Sequence, residues 1–240
     1  LWRAGNNSIN WRGFFAVTSL AASIYVLNQI FDVECDRANK KLFILPQKLL
    51  SLKWAFAEYL ILSILAIYLA ARINLLVLLL TLVGIALGIT YSLRQFNLKN
   101  KAFPAIVLNG IGHGGIIFSI GLCSGQELIF INSLNVIPFI IAYSAVYILT
   151  TIPDREGDKQ SGKQTITVRY GKSAALKLTI LLVILAVVTA YFTQEGTIFL
   201  TGIVALPFII GSVKKEKLVT FTNKLVVLLL SLITVVYYPV

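Results

Sequence analysis

The sequence predicts an all-α protein, a polytopic helical bundle that spans a membrane. Three observations carry this. Hydrophobic residues make up 58% of the 240-residue chain and charged residues only 13%, about half the ~25% charged typical of soluble domains. Mean hydropathy is +0.85. The apolar residues are gathered into eight runs, each near the ~20 residues that a helix needs to cross a hydrocarbon core.

The first run covers 11–31 and ends where Asp32 opens an acidic cluster. A polar stretch reaching Ser51 leads to the second run, 52–71, and only 71–73 separates that from the third, 73–91. A basic connection, 92–102, precedes the fourth run, 103–123, and 124–133 precedes the fifth, 134–152. The longest later connection, 153–173, carries the second acidic cluster and leads to 174–193; the last two runs are 196–212 and 225–240. Connections after odd-numbered runs must share one membrane face. They hold Arg37, Lys40, Lys41, Lys48, Arg94, Lys99, Lys101, Arg155, Lys159, Lys163, Arg169, Lys172, Lys214, Lys215, Lys217 and Lys224, against Arg3, Arg12 and Arg72 on the other face. The positive-inside rule makes the basic face cytoplasmic. The net charge of +11 thus has a topological reading, and no soluble basic domain remains to bind nucleic acid. Cys35 and Cys123 fall at opposite ends of their helices, too far apart for a disulfide, and are read as free, small buried hydrophobes.

Two acidic clusters stand out in a chain with only ten acidic residues. The first is Asn28-x3-Asp32-x3-Asp36 and the second Asp154-x3-Asp158, each at the end of an apolar run. Asp32 and Asp154 are separated by the same distance as Asp36 and Asp158, four runs on, which suggests two related four-helix units with a site between them. Residues four apart share a helix face. Carboxylates presented this way supply hard oxygen ligands for Mg²⁺, which commonly carries substrate phosphates. Acidic groups near bilayer depth are costly and mark function. Glu34 and Glu156 point elsewhere on their helices.

Four aspartates in two pairs can hold two Mg²⁺ ions. Those ions, with basic side chains around them, would neutralise a diphosphate. Candidates for that contact are Arg37, Lys99, Lys101, Arg155, Lys159 and Lys163, with Tyr91 and Ser92 near the mouth. An anionic head over an apolar bundle fits a prenyl diphosphate, with its tail between the helices. Departure of the diphosphate would leave an allylic cation for an acceptor to attack, and the protein's part would be mainly electrostatic. The only histidine, His113, lies in Gly110-Ile-Gly-His-Gly-Gly115. These glycines suit close helix packing, and His113 suits a packing or acceptor-pocket role. No independent general base is evident.

The aspartate motifs resemble those of the UbiA superfamily of intramembrane prenyltransferases. The stretch Ile152-Pro-Asp-Arg-Glu-Gly-Asp-Lys-Gln-Ser-Gly162 through Thr165, Arg169 and Gly171 is similar to that family over about twenty residues. Its wording, with Asn28-Gln29 before the first motif, is similar to the homogentisate-type branch and to archaeal and bacterial members. The resemblance implies Asn28, Asp32, Asp36, Asp154 and Asp158 as metal and diphosphate ligands, and Tyr91-Ser92 before the basic loop as diphosphate contacts. It also implies nine helices, one of them before Leu1, in a single prenyltransferase domain over 1–240. There are departures. The Arg-Pro-x-Pro-Ser-Gly segment common in the family reads Phe43-Ile-Leu-Pro46-Gln-Lys48 here, so Lys40, Lys41 or Lys48 would have to supply the charge, and Gln29 replaces a frequent Asp.

The expected reaction is Mg²⁺-dependent prenyl transfer to an aromatic quinone precursor or a glycerol-phosphate lipid. A terpene cyclase or a polyprenyl-phosphate sugar transferase would use the same scaffold. A CDP-alcohol phosphotransferase needs its aspartates in one continuous run, which is missing. A transporter would place its carboxylates near the bilayer midplane with access from both sides; here they cluster at one face.

Overall fold

The structure is a computed structural model and describes residues 10–93, 95–96, 98–125, 134–214 and 217–237. Arg3, Arg94 and Lys215, which enter the charge asymmetry above, lie outside the described residues. Regular structure among the described residues is helical: α1 (Trp11–Ala38), α2 (Leu52–Ala71), α3 (Leu75–Ser92), α4 (Ala102–Cys123), α5 (Val136–Thr151), α6 (Arg155–Gln160), α7 (Ile166–Phe192), α8 (Gly196–Gly211) and α9 (Lys217–Tyr237). The one β contact among them is an isolated parallel bridge between Lys101 and Gln164. Helices α1 to α4 and α7 are long and apolar enough to cross a membrane; α5, α8 and the 218–230 part of α9 are shorter apolar helices.

The bundle is built for an apolar surround. Large side chains such as Ile64, Trp54 and Phe192 are 66%, 70% and 77% exposed, while helix contacts are made by Ala16, Ala66, Ala70, Ser19, Ser23 and Ser63. Lipid supplies no hydrophobic drive for helices to associate, so small residues that allow close approach take over. Many buried hydroxyls are satisfied within their helices, as when Thr81 Oγ1 donates to Val77 O at 2.8 Å and Thr179 Oγ1 to Ala175 O at 2.9 Å.

Of three buried clusters among the described residues, two divide the bundle. One gathers Leu20, Ala66, Ala70, Val77 and Ile120 from α1–α4. The other gathers Ile148, Leu149, Leu176, Ala205 and Ile209 from α5, α7 and α8. Helix α4 joins them, with Ala102 and Ile106 in the second cluster and Ile116 and Ile120 in the first. Between those ends α4 changes to a π-helix over Gly110–Ile116, which the periodicity of the sequence does not announce. Two asparagines set the face remote from the acidic clusters. Asn10 and Asn74 accept from the N–H groups of Gly13 (3.0 Å) and Val77 (2.8 Å), capping α1 and α3. Each also donates from its amide to the end of α4, Asn10 to Ser124 O at 2.5 Å and Asn74 to Cys123 O at 2.9 Å.

Helix α1 continues through the first acidic cluster to Ala38, beyond the predicted limit at 31. Helix α7 begins at Ile166 instead of 174 and breaks at Gly171, whose φ of 83° only glycine adopts readily. The connection 153–173 folds into α6 and this first turn of α7. At Gly114, a Cβ would fall 2.7 Å from Ile140 Cα. Gly114→Ala is therefore expected to push α4 from α5, costing about 1–3 kcal/mol; a thermal unfolding midpoint in detergent equal to wild type would contradict this.

Candidate active site

The loops after α1, α3 and α5 converge on one face. Gly157 N donates to Asn39 Oδ1 at 3.1 Å, which joins α6 to the end of α1. Gln164 N donates to Asn100 O at 2.9 Å beside the Lys101–Gln164 bridge. These contacts bring the two acidic clusters together.

Asp32, Asp36 and Asp158 are buried, at 8%, 5% and 5% exposure, and Asp154 is half-buried. Three lysines lie between them. Lys41 Nζ stands 2.8 Å from Asp154 and 3.2 Å from Asp36, linking one aspartate of each motif. Lys163 Nζ does the same for the other pair, 3.0 Å from Asp32 and 3.8 Å from Asp158. Lys99 Nζ adds a contact to Asp32 at 2.9 Å. Burial opposes the charge on Lys163, but Asp32 and Asp158 outweigh it and hold its pKa above the usual lysine value. For Lys41, burial is likewise overcome by the hydrogen bond and charge of Asp154, backed by Asp36, and its pKa is raised. Lys99 goes the other way, because burial exceeds the pull of Asp32. Burial also raises the pKa of Asp158 despite Lys163.

The clusters form the mouth of a cavity of about 400 Å³. Near the mouth its wall carries Asn28, Tyr91, Asn109, Tyr147 and Thr151; deeper it is lined by Leu20, Ile24, Leu87, Ile116 and Ile117. The Tyr91 hydroxyl shares hydrogen bonds with Asn109 and Tyr147. Asn28 Oδ1 is buried without a hydrogen-bond partner, one turn before Asp32 on the same helix. A buried acceptor left unpaired is costly, and a hard cation satisfies such an oxygen. Asn28 and the four carboxylates therefore fit Mg²⁺. Among the described residues no three carboxylate, histidine or cysteine side chains already converge as a metal site, because the lysine ammonium groups stand between the carboxylates.

The UbiA prenyltransferase family profile matches residues 1–224. The chain belongs to the UbiA prenyltransferase family. It is 26% identical over 195 residues to the digeranylgeranylglyceryl phosphate synthase of Sulfolobus acidocaldarius, covering 79% of this chain and 69% of that one. It is 29% identical over 181 residues to the chloroplastic 2-acyl-4-prenylphloroglucinol 6-prenyltransferase of Humulus lupulus, covering 69% and 44%. In fold it is similar to a UbiA homologue from Archaeoglobus fulgidus bound to DMAPP and Mg²⁺, with a TM-score of 0.69 and 18% identity over 94% of this chain and 87% of that one.

In this UbiA-family chain, the predicted site residues Asn28, Asp32, Asp36, Tyr91, Lys99, Asp154, Asp158 and Lys163 all line the cavity. Five others do not. Arg37 is exposed, its Nε donating to Pro46 O at 3.4 Å. Ser92 is fully buried at the end of α3, and its hydroxyl has no hydrogen-bond partner. Lys101 and Lys159 are exposed, and Arg155 faces Glu156 at 3.5 Å on the surface. Cys35 is free and buried as expected, yet it is more than a small hydrophobe, since its thiol donates to Asp158 Oδ1 at 3.4 Å. Sequence reasoning placed Lys41 only among three substitutes for a missing arginine, and it gave no role to Asn109, Tyr147, Thr151 or Thr165, whose Oγ1 donates to Asp158 at 3.4 Å. Thr151 and Tyr147 precede Asp154 at the spacing of one and two helical turns, which is the signal that could have found them.

Removing one partner of a buried ion pair costs about 3–5 kcal/mol. Lys163→Met is therefore expected to lower the unfolding midpoint of metal-free protein by several degrees, with Mg²⁺ restoring part of the loss. A midpoint that neither falls nor responds to Mg²⁺ would contradict the bridging role.

Proposed function

We propose that this prenyltransferase moves the prenyl group of a prenyl diphosphate onto a lipophilic acceptor, with the diphosphate at the aspartate–lysine mouth and the tail in the apolar cavity. The observation that carries this reading is the meeting of both aspartate motifs, each bridged by lysines, at the open end of that cavity. Asn28, Asp32, Asp36, Asp154 and Asp158 would hold Mg²⁺. Four carboxylates against three ammonium groups leave one negative charge in excess, and a prenyl diphosphate adds about three more. Two divalent ions would supply the missing positive charge. When bound, Mg²⁺ neutralises the diphosphate and stabilises it as a leaving group.

The chain's own residues do the rest. Lys41, Lys99 and Lys163 exchange carboxylate contacts for diphosphate oxygens. The bond from C1 of the prenyl chain to oxygen breaks, and the electron pair leaves with the diphosphate. Tyr91 and Tyr147 line the cavity beside the mouth, where their rings would stabilise positive charge on the allylic carbon. The apolar wall keeps water from that carbon. An oxygen or activated ring carbon of the acceptor then bonds to C1, and the proton it loses passes to an oxygen of the departed diphosphate. Arg37, Lys101, Arg155 and Lys159, outside the cavity, contribute a positive field that draws in the anionic donor, and Ser92 takes no direct part. The Sulfolobus relative favours a glycerol-phosphate lipid as acceptor and the hop relative an aromatic ring.

Residues 1–240 form a single domain in this reading. All eight apolar helices span the bilayer as two related four-helix units, with the mouth on the cytoplasmic side. Two experiments test these proposals. Asp32→Ala and Asp154→Ala are each expected to abolish Mg²⁺-dependent binding of geranyl diphosphate and transfer to either acceptor class, in protein with a wild-type helical spectrum; an active double variant would overturn the mechanism. In sealed vesicles, a cysteine replacing exposed Lys48 is expected to react with an impermeant thiol reagent only from the cytoplasmic side, and one replacing Arg72 only from the other. The reverse pattern would invert the topology. Cys35 and Cys123 are both buried, which keeps the background low.

A further inference from the structure

Six glycines lie in or beside the cavity wall and the π-helical segment, and four of them admit a neighbouring helix that a Cβ would crowd. On α3, a Cβ at Gly88 would lie 2.8 Å from Ile24 Cγ1, and one at Gly84 would lie 3.1 Å from Leu20 Cδ2, so both serve the approach of α1. Gly110 and Gly114 admit α5, with Ile140 O only 2.7 Å from a Cβ at Gly110. Gly115 would place its Cβ in ordinary contact with Ile140, at 3.4 Å. Gly112 differs. A Cβ there meets nothing within 4 Å, and its φ is not positive, a property confined to Gly162 and Gly171 among the described glycines. Neither packing nor backbone conformation asks for glycine at a helical position, where glycine is the costliest residue after proline.

The empty space is the cavity. The residues that α4 gives to the wall come in pairs four apart: Leu108 and Asn109, Gly112 and His113, Ile116 and Ile117. Gly112 is in the middle pair, so a side chain there projects into the chamber. Gly112 is one turn past Asn109 of the mouth wall, roughly 5 Å deeper at ~1.5 Å per residue, and leads to the apolar lining at Ile116 and Ile117 where the tail would lie. Resting on the donor assignment above, we propose that Gly112 is a specificity-determining residue, its missing side chain leaving room for the distal units of a long prenyl tail. The π-helical turn presents that gap to the cavity while Gly110 and Gly114 hold the same segment against α5.

The test is Mg²⁺-dependent binding of dimethylallyl and geranylgeranyl diphosphate to the full chain as wild type, Gly112→Ala, Gly112→Leu and Gly115→Ala. Gly112→Leu is expected to weaken geranylgeranyl diphosphate at least tenfold relative to dimethylallyl diphosphate. Gly112→Ala shifts the ratio less and in the same direction, which keeps the test decisive if the leucine variant does not fold. Gly115→Ala, outside the cavity wall, keeps the wild-type ratio. Equal weakening of both donors, an unchanged ratio, or a wild type that binds only the short donor overturns the proposal and leaves the donor assignment standing. A folded wild type that binds neither donor overturns both.

Discussion

The arrangement depends on burying three carboxylates, and half-burying a fourth, at the edge of an apolar bundle. A buried carboxylate without a counter-charge is too costly to persist. Here the counter-charges come from segments distant in sequence: Lys41 from the loop after α1, Lys99 from the loop after α3 and Lys163 from the loop after α6. Because Lys41 and Lys163 each touch one aspartate of either motif, the neutralisation of charge and the joining of the two halves are the same contacts. The mouth is thereby assembled before any ligand arrives. Its lysines already occupy the positions from which they can turn to an anionic substrate.

Away from the mouth, the usual order of soluble proteins is reversed. Many large apolar side chains point outward, and alanine, serine and threonine share the contacts between helices with buried leucines and isoleucines. This follows from the solvent. In lipid, side-chain size is not what drives a residue inward, and close packing with internally satisfied hydroxyls sets the geometry. Small residues bring the helix axes close, and a chamber remains open between α1, α3, α4 and α5 beneath the charged mouth.

Helix α4 links these two environments. It begins beside Lys99 at the mouth, shares residues with both buried clusters and changes its winding midway. The π-helical turn places glycines on two sides at once. Those facing α5 are there because backbone must approach backbone, and the one facing the chamber is there because nothing occupies that space. His113, on the cavity wall, lies in the same turn, its ring stacked 6.2 Å from that of Tyr143. The lone histidine is thus part of the chamber and not of the charged mouth.

Much of this was legible in the sequence. Hydropathy alone located the apolar helices, because an element exposed to lipid must be apolar along its whole length. The i, i+4 spacing of Asn28, Asp32 and Asp36 put those side chains on one face, since helix geometry is local. The matching cluster at Asp154 and Asp158 announced a two-part site. Which cations meet those aspartates was not legible. Arg37, Lys101, Arg155 and Lys159 are as basic and as near in sequence as Lys41, Lys99 and Lys163, yet they face outward. The choice depends on how three loops fold across one another, and no local spacing encodes that. The π-helical turn and the open space at Gly112 were hidden for the same reason. A glycine reads alike in sequence whether it admits a neighbouring helix or leaves a chamber empty, and only the packed neighbours distinguish the two.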